Sequence, residues 1–397
     1  MTASCPYCFT PVEADRIGFR CVGACIPRPD AQASFYAGKS LAVPPVYCMI
    51  RNDRTKQLPT YVVCRRCGAQ TAQEVCLVCH RDLPPRWRQA RTFTMTVTGA
   101  RDTGKSVYIA VVVQMLLRYA QQRSRTVMAY TQGTQDVYGN DYYEPLYHRN
   151  VVMEGTPSMT GGGAYQEDPL IWEIAGGDGG RFYLVMRDIA GEDLERLTGR
   201  EGAFSFIDRA DLVLFLFDPL MLDAVRKVLS GLIPDLDTNR KGVRPGEVLP
   251  KILAQMSSGG SRLALTICKF DALQQLPRAN SKMAPVLANP AAHFNWDDTM
   301  VRARTPSSKQ RVRALEEDGA FLDAEVCSML RYLGEDAVTL QAVQAVRNRK
   351  IAALRHFVVS SLGETPQHRE KLTERGISPF RVLDPILWGL SQARVEF

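Results

Sequence analysis

Nine of the eleven cysteines fall between Cys5 and Cys79, and only Cys268 and Cys327 lie later. They come in short knuckles. Cys5 and Cys8 are followed by Cys21 and Cys25, and Cys64 and Cys67 by Cys76 and Cys79. Successive knuckles supply four thiolates at spacings suited to tetrahedral Zn²⁺. This predicts two closed structural sites, Cys5/Cys8/Cys21/Cys25 and Cys64/Cys67/Cys76/Cys79, with Cys48 left over. An interleaved pairing of Cys5/Cys8 with Cys64/Cys67 stays open. His80, next to Cys79, reads as a bystander. The segment holds few large apolar residues, so metal binding is expected to hold it together.

A second chemistry lies at Gly99-Ala100-Arg101-Asp102-Thr103-Gly104-Lys105-Ser106, which matches G-x-x-x-x-G-K-[ST] in full. It follows a strand-like run, Thr92 to Thr98, and opens a helical one, Ser106 to Gln122. Glycines let backbone N–H groups approach phosphate oxygens, and the helix N-terminus adds its dipole. Lys105 is expected to reach the β- and γ-phosphates, and the Ser106 hydroxyl to coordinate Mg²⁺. Further on, Cys268-Lys269-Phe270-Asp271 closes another strand-like run. A carboxylate at Asp271 can accept from the N1–H and exocyclic amine of guanine, a donor pair that adenine lacks, which selects GTP over ATP. The Lys269 stem can cover the base. Ser360-Ser361-Leu362 offers a backbone N–H to the guanine carbonyl.

Short apolar runs alternate with longer helical ones from about Arg91 onward, as in a βαβ domain. The runs are Phe93–Thr98, Leu170–Ile174, Phe182–Met186, Leu212–Phe217, Leu263–Cys268 and His356–Ser360. Most are continuous, as for strands of a mostly parallel sheet buried on both faces. Leu170–Ile174 and Phe182–Met186 flank a glycine-rich turn and read as a hairpin. Phe321–Leu333 reads as a helix. Residues 27–60, 131–167 and 276–312 read as loops. Two regions result: a zinc-binding module over 1–90 and an α/β domain over 91–397.

The 397 residues carry 49 Lys plus Arg against 42 Asp plus Glu. The excess is local: residues 1–95 hold 13 basic and 6 acidic side chains, and the remainder is balanced. Four thiolates on Zn²⁺ carry a net negative charge, so the excess is weak support for a nucleic-acid partner. Hydrophobic residues make up 45% of the chain, which excludes wholesale disorder. The longest apolar runs, near Val111 and Phe215, are about ten residues, short of the ~20 a membrane span needs. The N-terminus lacks an apolar signal region, so a cytoplasmic, reducing setting without a membrane is expected.

The ordered set of motifs resembles the TRAFAC-type GTPase branch of P-loop proteins over residues 91 to about 365. That resemblance implies a three-layer α/β/α fold. It implies that Gly99, Arg101, Asp102, Thr103, Gly104, Lys105, Ser106 and Val107 cradle the nucleotide. Asp188, in Asp188-Ile189-Ala190-Gly191, would hold Mg²⁺ through water, and the Gly191 N–H would contact the γ-phosphate. Thr156 or Thr160, with Thr160 preferred, would be the switch threonine. Departures are Glu192, where Ras-like proteins have Gln, and Cys268, where Asn or Thr usually braces the phosphate loop. Arg101 adds positive charge near the phosphates, and Asp102 stands where some potassium-activated relatives have Asn.

Cys5-Pro6-Tyr7-Cys8, Cys76-Leu77-Val78-Cys79-His80-Arg81-Asp82-Leu83-Pro84 and the tail Phe380-Arg381-Val382-Leu383-Asp384-Pro385 narrow the likeness further. They resemble the zinc-ribbon-bearing double-GTPase family found mainly in actinobacteria. Membership implies a switch that hydrolyses GTP to GDP and phosphate with Mg²⁺ in a bacterial multi-protein conflict or signalling system, with protein partners such as a second GTPase. Glu192 and Cys268 keep open a nucleotide-binding scaffold that hydrolyses hardly at all. A GTP-regulated zinc-ribbon nucleic-acid binder is the other alternative. In the tail, Val382, Ile386, Leu387 and Leu390 form a helical stripe suited to docking on the sheet.

Overall fold

The computed structural model describes residues 3–52, 57–151, 153, 168–177, 180–233, 243–278, 284–365, 372 and 376–397. Thr156 and Thr160 lie outside the described residues.

The N-terminal region is built on a three-stranded antiparallel sheet. Strand β1 (Arg16–Arg20) lies between β2 (Val46–Ile50) and β3 (Gln73–Val75). Phe19 and Ile17 are buried beneath it. The expected loop at 27–60 also holds a helix, Ala31–Ala37, whose first turn is capped by the Asp30 carboxylate accepting from Ala33 N–H at 2.8 Å.

A seven-stranded, mostly parallel sheet follows. Its strands are β4 (Thr92–Gly99), β5 (Arg125–Ala129), β6 (Leu170–Gly176), β7 (Phe182–Asp188), β8 (Leu212–Phe217), β9 (Arg262–Ile267) and β10 (Ala353–Val358). Their order is β10-β9-β8-β4-β7-β6-β5, with β6 antiparallel to both neighbours. All six expected strands are present, and the hairpin of Leu170–Ile174 with Phe182–Met186 is observed. The edge strand β5 was not expected.

Central β4 is buried at every position. Phe93, Met95 and Val97 fill one face. Thr94, Thr96 and Thr98 fill the other, where buried hydroxyls need partners. They find the Asp211 carboxylate and the carbonyls of Arg187 and Leu214. Helix α1 (Lys105–Gln122) leaves the C-terminal end of β4.

Helix α2 (Pro245–Gln255), α3 (Ser308–Tyr332), α4 (Asp336–Arg347) and α5 (Asp384–Gln392) complete the frame. The terminal helix α5 docks on the sheet as its stripe suggested. Trp388 is buried, and a Cβ at Gly389 would lie 2.9 Å from the Phe93 ring.

Two expected loops are partly helical. Tyr138–His148 forms a wide helix of π type, with Tyr138, Tyr142 and Leu146 buried; the Tyr138 hydroxyl donates to the Ala110 carbonyl of α1 at 2.8 Å. In the 276–312 segment, Thr299–Ala303 is helical and α3 starts at Ser308. Buried Arg381 ties this segment to α5 through Asp318, Asp384 and the carbonyls of His293 and Trp296. No helix among the described residues is long and apolar enough to cross a membrane.

Candidate metal centres and phosphate loop

Eight of the nine N-terminal cysteines gather into two groups of four, each with sulfurs within 4.8 Å of one another. The groups are Cys5/Cys8/Cys76/Cys79 and Cys21/Cys25/Cys64/Cys67. The ligand set was anticipated, but its partition was not: neither the sequential nor the interleaved pairing occurs. The reason is the antiparallel pairing of β1 with β3, in which Gly18 faces Val75 and Arg20 faces Gln73. The knuckle before β1 therefore lies beside the knuckle after β3. At the opposite end, the knuckle after β1 meets the one that precedes β3. Antiparallel strands nest their flanking segments.

Three of the four knuckles are tight backbone turns. Phe9 N–H donates to the Cys5 carbonyl, Gly68 N–H to Cys64 and His80 N–H to Cys76, at 2.9–3.0 Å. The residue after the second cysteine is left-handed in all three, with φ of 56° at Phe9, 72° at Gly68 and 55° at His80. This bend turns both sulfurs inward. The closest sulfur pairs are 3.5–3.7 Å apart, too long for a disulfide. They approach the ~3.8 Å edge of a tetrahedron with Zn–S bonds of about 2.3 Å. Donor type, count and spacing thus fit zinc. His80 is outside both groups, and its Nδ1 lies 2.8 Å from Asp30.

The two groups differ in setting. All four sulfur residues of the first are buried, while Cys67 of the second is exposed and Cys25 half-buried. The first group is clasped by the large sheet. Arg187 of β7 donates to the Tyr7 carbonyl at 2.5 Å, and its guanidinium lies 3.8 Å over the Phe206 ring. Phe9 meets Phe206 edge-on at 5.6 Å, and buried Trp87 donates to the Ser4 carbonyl at 2.7 Å. Burial pushes the Arg187 guanidinium down to about 10. In the second group, Arg65 N–H donates to the Tyr47 hydroxyl at 3.1 Å, which leaves the hydroxyl proton for Cys64 Sγ at 3.2 Å.

The phosphate-loop residues lie at the C-terminal end of β4. Neighbouring strands leave the central strand on opposite sides there, and α/β proteins place ligands at such points. Gly99 has φ 145°, and a Cβ would fall 2.6 Å from the Leu216 carbonyl, so only glycine fits. The Asp102 backbone is left-handed at φ 61°. Lys105 is buried, and its Nζ donates to the carbonyls of Ala100 at 2.8 Å and Gly99 at 3.2 Å. Burial lowers its pKa against the raising pull of Asp188 and Glu195. Ser106 Oγ donates to Asp188 Oδ2 at 3.2 Å, so the expected Mg²⁺ pair is brought together.

Parallel strands bring the remaining motifs to the same sheet end. Lys269 Nζ bridges the Asp102 carbonyl at 2.8 Å and the fully buried Asp218 at 2.5 Å. Asp271 accepts from the hydroxyls of Ser360 at 2.5 Å and Thr365 at 2.9 Å. The Ser360 N–H donates to Phe380, and Ser361 and Leu362 lie half-buried in the following turn. The buried Cys268 thiol donates to the Thr103 carbonyl at 3.2 Å.

Glu192, expected at the water-positioning place, is instead paired with Arg101 at 2.7 Å. Asp218 and Glu195 were missed. The signal for Asp218 was a carboxylate closing an apolar strand beside the Lys269 strand. For Glu195 it was the three-residue spacing from Glu192 on one helical turn.

No protein-family model matches the chain. A protein of Mycolicibacterium smegmatis with the name "Putative ESX-1 scaffolding and assembly protein SaeC" is 33% identical over 392 residues, covering 97% of this chain and 98% of the relative. This corrects the expected activity. A sequence matched along nearly its whole length is named for scaffolding and assembly, so the expectation of a GTP-hydrolysing switch enzyme, a GTPase or hydrolase, is overturned. Because the identity of 33% covers 97% of this chain and 98% of the relative, this chain belongs to the same family as SaeC.

Proposed function

We propose that this chain scaffolds the assembly of ESX-1 complexes and therefore acts through protein partners. The full-length identity to a relative of that name carries the reading. Residues 1–90 serve as a zinc-ribbon-like module and residues 91–397 as a P-loop domain with an α/β/α arrangement. The two cysteine groups would each hold one Zn²⁺. All-thiolate sites are closed, so the metal would supply shape rather than chemistry. Thiolates that hold zinc rather than forming disulfides would suit a cytoplasmic, reducing setting.

In the same reading a guanine nucleotide is a ligand of the scaffold rather than a substrate. Gly99, Arg101, Asp102, Thr103, Gly104, Lys105, Ser106 and Val107 would surround its phosphates. Ser106 and Asp188 would hold Mg²⁺, and Lys269, Asp271 and the Ser360–Leu362 turn would take the base. The adjacency of Ser106 and Asp188 supports this arrangement.

Deleting the coding sequence in its host tests the scaffold. ESX-1 complexes are expected to fall short of full size on native gels and to recover with the wild-type chain. Complexes of unchanged size would sink the reading. The nucleotide part is tested separately by calorimetric titration of the zinc-loaded chain with Mg²⁺ and GDP. Binding is expected, with loss of about tenfold or more in affinity in Lys105→Ala. No heat of binding would remove the nucleotide and leave the scaffold standing.

A further inference from the structure

The phosphate loop already holds an anion of its own chain. Arg101 N–H donates to Glu195 Oε1 at 2.9 Å. The Arg101 guanidinium pairs with Glu192 at 2.7 Å. Both glutamates belong to the short helix Gly191–Arg196, where a three-residue spacing places them on one side. The helix is pressed against the loop: a Cβ at Gly191 would lie 2.3 Å from Arg101 N and 2.5 Å from its Cα. Lys251 fastens the far end by donating to the Glu195 carbonyl. Glu195 also acts electrostatically on Lys105, the cation expected to meet phosphate.

A carboxylate accepting from a loop N–H beside a lysine repeats the chemistry of a phosphate oxygen: negative charge, oxygen acceptor, charge-assisted bond. It can be exchanged for phosphate, but both cannot occupy the same N–H. We infer that Glu195 is a built-in competitor for the phosphate loop, displaced from Arg101 N–H when the phosphates of a nucleotide enter. The inference rests on the nucleotide reading above. Displacement frees Gly191–Arg196 from the loop. The same stretch continues into Gly199 and Arg200, which are bonded to Gln255 at the end of α2. Loop occupancy is thereby transmitted to α2, away from the nucleotide. Binding energy is divided between gripping phosphate and releasing Glu195, so removing the carboxylate tightens binding.

The test titrates fluorescently labelled GDP with Mg²⁺ into the full zinc-loaded chain. Glu195→Gln keeps the shape and removes the charge, and Glu195→Ala removes the acceptor as well. Affinity is expected to rise from wild type through Gln to Ala, by about tenfold overall. Hydrogen exchange of the wild type gives a readout that needs no variant: amides of 191–200 are expected to exchange faster once GDP is bound. Variants that bind no tighter than wild type, together with unchanged exchange, overturn the competitor while wild-type binding preserves the nucleotide reading. No binding by wild type or by either variant overturns both.

Discussion

The two four-cysteine groups share ligand type and number, yet one is built into the molecule and the other stands out from it. Cys5, Cys8, Cys76 and Cys79 are buried in one core cluster with Phe9, Phe206 and Trp87, and Arg187 of the large sheet grips the Tyr7 carbonyl between two of the ligands. Cys21, Cys25, Cys64 and Cys67 are braced by Tyr47 and flanked by exposed Val22, Ile26 and Val63. Chemically equivalent sites therefore carry different mechanical loads. The inner group joins two regions, whereas the outer one shapes only its own end of the small sheet.

The largest expected difference is between Cys76→Ala and Cys67→Ala. Each is expected to lower the zinc content of the purified chain from two ions to one. Cys76→Ala also opens the buried group whose first knuckle ends at Phe9, with a stability loss on the order of several kcal/mol for the whole chain. Cys67→Ala leaves the melting of the large sheet near wild type. Zinc analysis and calorimetry on the same samples decide it, and equal melting losses would erase the contrast.

Phe9→Ala probes the joint without touching a ligand. Phe9 is buried against Phe206, so about 3–5 kcal/mol of stability should go while both zinc ions stay. Loss of zinc from that variant would mean that docking and metal binding are one event.

Chelator titration gives a finer comparison. Exposed Cys67 offers a route to its metal that the buried inner group lacks. Release should occur in two phases, the outer ion first, followed by a colorimetric zinc indicator. A single phase would make the two sites equivalent in access.

The smallest effect belongs to Tyr47→Phe. It deletes one hydroxyl bond to Cys64 and one acceptor for Arg65 N–H, worth about 1 kcal/mol. It should speed the outer phase alone.

Much of the frame was legible in the residues. Continuous apolar runs identified strands β4 and β6 through β10, because strands buried on both faces leave little room for polar side chains. Strand β5 was hidden because an edge strand alternates: Thr126 and Met128 are exposed while Arg125 is buried on the carbonyls of Gly180 and Glu396. The Tyr138–His148 helix was hidden by Gly139, Asn140 and Pro145, residues that usually mark loops. It forms because its tyrosines find α1 and Trp172 to pack on. The first half of α3 was hidden by its Lys, Arg and Glu content, which leaves a mostly solvated face.

By itself the sequence determined the kinds of chemistry available. Eight paired thiols, a glycine-rich loop before a lysine and serine, and carboxylates at strand ends are local patterns. Local spacing is enough to specify a turn or a donor set. Tertiary structure decided which donors meet. The antiparallel run of β1 against β3 nested the cysteine knuckles, a result set by strand direction and invisible in spacing. The fold also seated Glu195 on the loop and Arg101 on Glu192, contacts between segments about ninety residues apart in the chain. Their partners are fixed by packing of the whole domain, because the free energy that selects them comes from side chains distant in sequence.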